Sequence, residues 1–310
     1  MIPQVPLPNG PVLLDGGMGQ ELLARVGGSV GELWSAQVLL DKPKLVQEVH
    51  EDFIRAGARI ITTNTYTAIR TKLDDAGMGF LFEDLNRRAG KLAVQARDSV
   101  GDADVLITGS LPPFYGSFRP DLVQAFDVIE PMYREQAEVL APYVDFFLCE
   151  TMSSAAEAVA AVAGAAPLGK PIWVAWTLED HGSARLRSGE TVAEAYAALD
   201  GLPVSGFLVN CCSPESVTAA MPALAAVGGQ GNWPVGGFAN GFAEIPDDWE
   251  SGDGIETLGR RHDLDEAIYA SHVKDWLDAG ARLVGGCCEI GPGHIARLRR
   301  LLDERPAPGA

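Results

Sequence analysis

The feature that most constrains this chain is a period. Eight short apolar runs alternate with eight amphipathic stretches between residues 11 and 304, with no break in composition along the way. The runs are PVLLDGG (11–17), ARIITTNTY (58–66), ADVLITGSL (103–111), VDFFLCET (144–151), PIWVAWTLE (171–179), SGFLVNCC (205–212), WPVGGFANG (233–241) and ARLVGGCC (281–288). Each is short and apolar almost throughout, the pattern of a strand covered on both faces. Between them lie helical patterns at 41–57, 82–99, 121–143, 153–165, 191–200, 214–228, 264–280 and 291–304. In the first of these Pro43 stands near the start, Leu45, Val49 and Ile54 share roughly one face, and Gly57 is a stop signal. Pro131 is expected to kink or interrupt the third. Eight strand–helix units predict an α/β chain folded as a single (β/α)8 TIM barrel, one domain over residues 1–310. The tail 305–310 reads as disordered. The stretch 242–263 is too long for a plain strand–helix connection and reads as part of a lid.

The chain carries 24 Lys+Arg against 42 Asp+Glu, a formal charge of −18. That balance argues against nucleic acid as a partner, because phosphate recognition needs a basic footprint. No apolar run reaches the roughly 18 residues that span a bilayer. The start MIPQVPLPNGPVLL lacks the basic n-region and small-residue cleavage site of a secretory leader. The five cysteines are an odd count, and four of them fall in two adjacent pairs. That is a poor disulfide framework and suits a reducing, cytoplasmic compartment, where clustered thiols point to metal binding or catalysis.

In a barrel of this kind chemistry belongs at the C-terminal ends of the strands. Those ends carry Asp15-Gly16-Gly17-Met18-Gly19, Thr62-Thr63-Asn64-Thr65-Tyr66, Gly109-Ser110, Cys149-Glu150-Thr151, Trp176-Thr177-Leu178-Glu179, Asn210-Cys211-Cys212, Phe238-Ala239-Asn240-Gly241 and Cys287-Cys288-Glu289. Two cysteine pairs therefore fall at one end of the barrel, on the sixth and eighth strands, and can converge on one metal. Three thiolates and an open fourth position make a catalytic rather than a closed structural zinc site. Set against this, adjacent cysteines also serve as small buried hydrophobes, the favoured reading for Cys149 in the middle of FFLCET. A vicinal disulfide would be strained. Cys211 and Cys212 compete, since neighbouring strand residues point opposite ways.

The motifs Asp15-Gly16-Gly17-Met18-Gly19, the stretch 58–66 ending TTNTY, Glu150-Thr151, Asn210-Cys211 and Gly285-Gly286-Cys287-Cys288 followed by Pro292-Gly293-His294-Ile295 span nearly the whole chain. Together they resemble the homocysteine S-methyltransferase family. The resemblance implies a zinc-dependent barrel whose Zn2+ is held by Cys211, Cys287 and Cys288, with Asn210 selecting Cys211 over Cys212. It implies an enzyme that moves a methyl group from an onium donor to homocysteine, giving methionine. It makes Glu150 the contact for the homocysteine amino group. Asp15, Gly16 and Gly17 form a turn whose backbone N–H groups can hold the amino acid, although Asp15 also suits a turn-former. Asn64, Thr65 and Asn240 either line the mouth or satisfy loop backbone. His294, at the start of the last helix, is read as structural.

The stretch after the third strand, Gly109-Ser110-Leu111-Pro112-Pro113-Phe114-Tyr115-Gly116, departs from the GS-x-G-P-Y-G type found in family members that use S-methylmethionine. With no long C-terminal arm and no cobalamin or folate module, S-methylmethionine and S-adenosylmethionine lead as donors, ahead of betaine-like and dimethylsulfoniopropionate-like compounds. Selenocysteine or another small thiol is an alternative acceptor. Trp34, Phe114, Tyr115 and Trp176 suit either cation–π contact with an onium group or plain packing. Two other classes compete. A zinc hydrolase would want histidine and carboxylate ligands, and His50, His181, His262, His272 and His294 are scattered away from the strand ends. A non-catalytic protein that binds a thiol amino acid would differ by transferring no methyl.

Overall fold

The computed structural model describes residues 2–27, 33–180, 182–246, 249 and 255–305. In chain order its elements are β1 (Val12–Leu13), α1 (Met18–Val26), α2 (Ser35–Asp41), α3 (Pro43–Arg55), β2 (Ile60–Thr62), α4 (Arg70–Asp75), α5 (Phe82–Val100), β3 (Leu106–Leu111), α6 (Phe126–Leu140), β4 (Phe146–Met152), α7 (Ala155–Ala165), β5 (Ile172–Trp176), α8 (Val192–Ala197), β6 (Val204–Asn210), α9 (Pro214–Gly231), β7 (Val235–Phe238), α10 (Glu266–Asp278), β8 (Leu283–Val284) and α11 (Pro292–Asp303). All eight expected strands are present, each shorter than its apolar run. The sheet is parallel in the order β1-β8-β7-β6-β5-β4-β3-β2, and a parallel bridge from Leu14 to Ile60 closes it between β1 and β2.

The near-continuous hydrophobicity of the strands resolves into two faces once the chain is folded. Inward positions alternate with outward ones, because strand side chains have a period of two. Val12, Leu14, Ile60, Phe146, Leu148, Trp173, Ala175, Leu208 and Leu283 fill the barrel interior, where the Phe146 and Trp173 rings stand 4.4 Å apart. Val5 and Leu7 of the N-terminal segment join them. Leu13, Ile61, Phe147, Cys149, Val174, Val209 and Val284 face the helices in a larger outer core. This alternation carries on at the strand tops. Glu150 is the next inward position after Leu148, and Asn210 the next after Leu208. Cys149, one residue out of phase, is buried in the outer core as a small hydrophobe.

Helix starts follow their local chemistry. Thr191 and Glu194 make a capping box on α8, Asp265 caps α10 and Ser154 caps α7. Pro131 does not interrupt its helix: α6 runs through it and begins only at Phe126. The proline removes one N–H on an exposed face near the helix start. Three helices, α1, α2 and α4, were not foreseen. Of the tail expected to be disordered, Arg305 is placed and pairs with Asp278 at 2.9 Å. Residues 306–310 lie outside the described ones.

Candidate metal centre and substrate cavity

The two cysteine pairs meet at the mouth of the barrel. The Sγ atoms of Cys211, Cys287 and Cys288 all lie within 4.8 Å of one another. The backbone that presents them is fixed from several sides. Cys211 follows β6 at φ 50°, a left-handed conformation that a non-glycine residue adopts at some cost. Its N–H donates to Phe238 O at 3.2 Å, and its carbonyl accepts the Thr177 hydroxyl at 3.1 Å. Cys287 N–H donates to Ala239 O at 2.8 Å, and Gly241 N–H donates to Cys288 O at 2.9 Å. Tyr269, buried on α10, donates its hydroxyl to Gly285 O at 2.7 Å. Glu289, at φ 67°, is held by the Gln20 amide at 2.6 Å.

The glycine turn after β1 braces this loop. A Cβ on Gly17 would stand 2.5 Å from Cys287 O, and one on Gly16 would stand 2.1 Å from Ile290 O. Gly17 donates its own N–H to Ile290 O at 2.9 Å. That bond corrects the expectation that the Gly17 N–H is open to a substrate, because it is already spent on the cysteine loop.

The three sulfurs fit a tetrahedral thiophilic metal. At a Zn–S bond of about 2.3 Å, tetrahedral sulfurs stand about 3.8 Å apart, which lies within the 4.8 Å that bounds all three sulfurs here. No histidine or carboxylate joins the cluster among the described residues, which leaves a fourth position open to the cavity. Without metal the thiols share protons. Cys211 is held well below the ordinary thiol range by hydrogen bonds from Cys287 and Cys288, while those two are pushed up, first by the hydrogen bond each makes to Cys211 and then by burial and the neighbouring negative charge. The Asn240 amide donates to Cys211 Sγ at 3.8 Å. Cys212 faces away into the outer core, fully buried, its thiol raised by desolvation.

A cavity of about 90 Å3 opens beside the sulfurs. Asp15, Glu150, Asn64, Gly16 and Gly17 stand on its wall with the three cysteines. The Asp15 carboxylate accepts from Thr62 N at 2.7 Å and the Thr62 hydroxyl at 3.0 Å. Glu150 accepts a short hydrogen bond from the Ser110 hydroxyl. Burial pushes Asp15 up to about 7 and Glu150 up to about 8, against the lowering effect of those hydrogen bonds. No lysine, arginine or histidine stands among the described residues of the wall. Two buried carboxyls with no protein cation beside them are the complement of a cationic ligand.

Two expected wall residues stand back from it. Thr65 is fully buried, donating its hydroxyl to Ser110 O at 3.0 Å, and Asn240 orients the Cys211 sulfur. Both support the site from behind. Among the aromatics, Trp34 is on the wall, but Trp176 and Phe114 are core residues, the latter packed on Tyr133 at 4.4 Å between ring centroids. The sequence reading missed Ser110, the partner of Glu150. It also missed Tyr66, Phe118 and Trp249, which complete an aromatic wall. Phe118 and Trp249 rings stand 5.8 Å apart and pack with Phe242, Ile245 and Leu258 against Cys211. From the 242–263 stretch, then, Trp249 stands on the wall and Phe242, Ile245 and Leu258 pack behind it; 247–248 and 250–254 lie outside the described residues, as does His181. Asp180 ties this cover down: it accepts from Ile245 N at 3.2 Å and Ser213 N at 2.8 Å and pairs with the buried Arg187 at 2.8 Å. The sequence signal for Trp249 is the length of that stretch, and Ser110 and Tyr66 stand at the strand ends singled out above. His294 is buried against Tyr269, away from the sulfurs.

The family model for homocysteine S-methyltransferase matches residues 12–302. The chain belongs to the homocysteine S-methyltransferase family. A homocysteine S-methyltransferase of Escherichia coli is 32% identical over 307 residues, covering 93% of this chain and 94% of its own. A selenocysteine Se-methyltransferase of Brassica oleracea is 27% identical, covering 96% and 90%. The metallated form of the homocysteine methyltransferase MmuM of Escherichia coli superposes with a TM-score of 0.79 at 28% identity, covering 94% and 96% of the two chains. A metal-bearing relative with this fold accords with a cysteine trio built for a metal. Among the described residues no helix is long and apolar enough to cross a membrane.

Proposed function

We propose that this chain is a zinc-dependent homocysteine S-methyltransferase that takes its methyl group from S-methylmethionine or S-adenosylmethionine. The observation that carries the reading is the trio of sulfurs, Cys211, Cys287 and Cys288, on the wall of a cavity whose charged lining is otherwise carboxylate. Zinc held by these three would supply thiol activation, lowering the pKa of a fourth thiol that remains nucleophilic because the metal already carries three anionic sulfurs.

The rest is work for the chain's own groups. Glu150 and Asp15 receive the homocysteine ammonium, each giving up the proton that burial makes it hold. Met18 and Gly19, on the wall at the start of α1, present main-chain N–H groups suited to its carboxylate. Held at that end, the substrate points its sulfur at the cysteine trio. Trp34, Tyr66, Phe118 and Trp249 exclude water and offer ring faces to an onium group. The homocysteine thiol loses its proton to solvent, and its sulfur lone pair forms the new S–CH3 bond. The bond from that carbon to the donor sulfur breaks, its electron pair stays with the donor, and a neutral thioether leaves.

The test is methionine formation by reduced, zinc-loaded protein given homocysteine with each donor in turn. Turnover that needs homocysteine and an onium donor is expected. Binding of homocysteine with no methyl transfer from any onium donor would leave a binding protein and overturn the proposal.

A further inference from the structure

The cavity beside the cysteines is too small to hold everything the reaction needs. Its volume of about 90 Å3 seats on the order of six to nine water-sized groups, which a four-carbon amino acid fills. The remainder of a methyl donor must lie elsewhere. A second chamber, of about 460 Å3, adjoins the first, and the two share a wall. That wall is Tyr66 and Ser117, which line both spaces and hydrogen-bond to each other, hydroxyl to hydroxyl, at 2.8 Å.

Two segments shape the chamber: α4, which brings Thr71, Lys72, Asp74 and Asp75, and the loop after β3, residues 113–117. They are joined by the Thr71 hydroxyl, which donates to Phe114 O. Tyr115 donates its hydroxyl to Met132 Sδ at 3.8 Å. The charged residues on this wall are of both signs, one ammonium and two carboxylates, whereas the inner cavity holds carboxyls alone. With the inner carboxyls taken by the homocysteine ammonium, the inner side offers a cationic sulfur its aromatic wall, and the outer chamber, with charges of both signs, suits a zwitterion. An onium donor that ends in an α-amino acid has both parts in that order: a cationic sulfur, a short carbon arm, then an ammonium and a carboxylate.

We propose that the chamber between α4 and the loop after β3 seats the amino-acid head of a sulfonium donor, with Lys72 facing its carboxylate and Asp74 and Asp75 its ammonium. Tyr66 and Ser117 are the sill across which the arm passes, and the Tyr66 ring meets the sulfonium on the inner side. The proposal rests on the methyl-transfer reading above and adds which donors the site selects. Betaine-like compounds carry a carboxylate close to the onium centre and no ammonium, so they cannot use the chamber.

The experiment compares donors with and without the head. Zinc-loaded wild type, Lys72→Ala and the double variant Asp74→Asn/Asp75→Asn are assayed for methionine formation from S-methylmethionine, S-adenosylmethionine and trimethylsulfonium. The readout is kcat/KM for whichever headed donor the wild type uses better, divided by kcat/KM for trimethylsulfonium. This ratio does not depend on how much of a variant is folded. A fall of at least tenfold in both variants, carried by the KM of the headed donor, is expected. A ratio within twofold of wild type in either, or a wild type that shows no preference for a head, overturns the chamber while homocysteine methylation stands. Absence of methionine from every onium donor overturns the methyl-transfer reading, and the chamber with it.

Discussion

At the scale of single residues, the site is defined by groups held away from their ordinary protonation states. Asp15 and Glu157 are raised to about 7 and Glu150 to about 8, in each case chiefly by burial. A carboxyl raised in this way favours the fold at low pH, where it is neutral in both states. That contribution is withdrawn as pH climbs through the raised value, because the unfolded chain can ionise freely. His50, lowered to about 3 by burial, acts at the other end: it costs nothing above its ordinary range and weakens the fold as pH falls below it. Metal-free protein should therefore lose stability from about pH 4.5, where the unfolded carboxyls ionise, to about pH 8, where the last of the three ionises in the fold, and level off above that, read as a falling urea midpoint, and Glu150→Gln should flatten that fall. A midpoint that rises over the same span would mean that these carboxyls are ionised in the empty site. The identities of Glu150 and Asp15 were legible in the sequence because each closes a strand. Their states were not, since burial and the Ser110 and Thr62 hydrogen bonds come from other strands.

At the scale of elements, the loops after β1 and β8 behave as one unit. Gly16 and Gly17 lie against the backbone of Cys287 and Ile290 so closely that a single methyl group would not fit. Gly17→Ala should push the Cys287 carbonyl aside, so zinc content should fall well below wild type while the far-UV circular dichroism of the barrel is kept. Full zinc content in that variant would refute the bracing role. The sequence pointed to these glycines as a turn that offers N–H groups to substrate. Only the fold reveals that the turn's neighbour is the metal loop, nearly the whole chain away. Separation along the chain, here 59 residues, likewise explains the missed pairing of Asn210 with Thr151, where the amide accepts from Thr151 N at 2.8 Å and donates to its hydroxyl at 2.9 Å. Short α4 was missed for another reason: six residues are too few for a helical period to stand out.

At the scale of the molecule, the eightfold alternation made the barrel legible, and the two cysteine pairs made its working end legible. Its cover was legible only as one overlong stretch, 242–263, and what stayed hidden is how that stretch is held. Phe118, Trp249 and the Asp180–Arg187 pair come from loops after three different strands, and no local pattern links them. The division of labour follows from the layout. The core lies inside and around the sheet, while the sulfurs sit on loops above it, so metal and fold are separable. The most direct test of the account is the zinc content of reduced protein by elemental analysis, wild type beside five single Cys→Ser variants. The account predicts about one zinc per chain in wild type, Cys149→Ser and Cys212→Ser, and loss of zinc from a still-folded barrel in Cys211→Ser, Cys287→Ser and Cys288→Ser. Full zinc in any of the last three, or its loss in Cys212→Ser, would contradict the ligand set on which the chemistry depends.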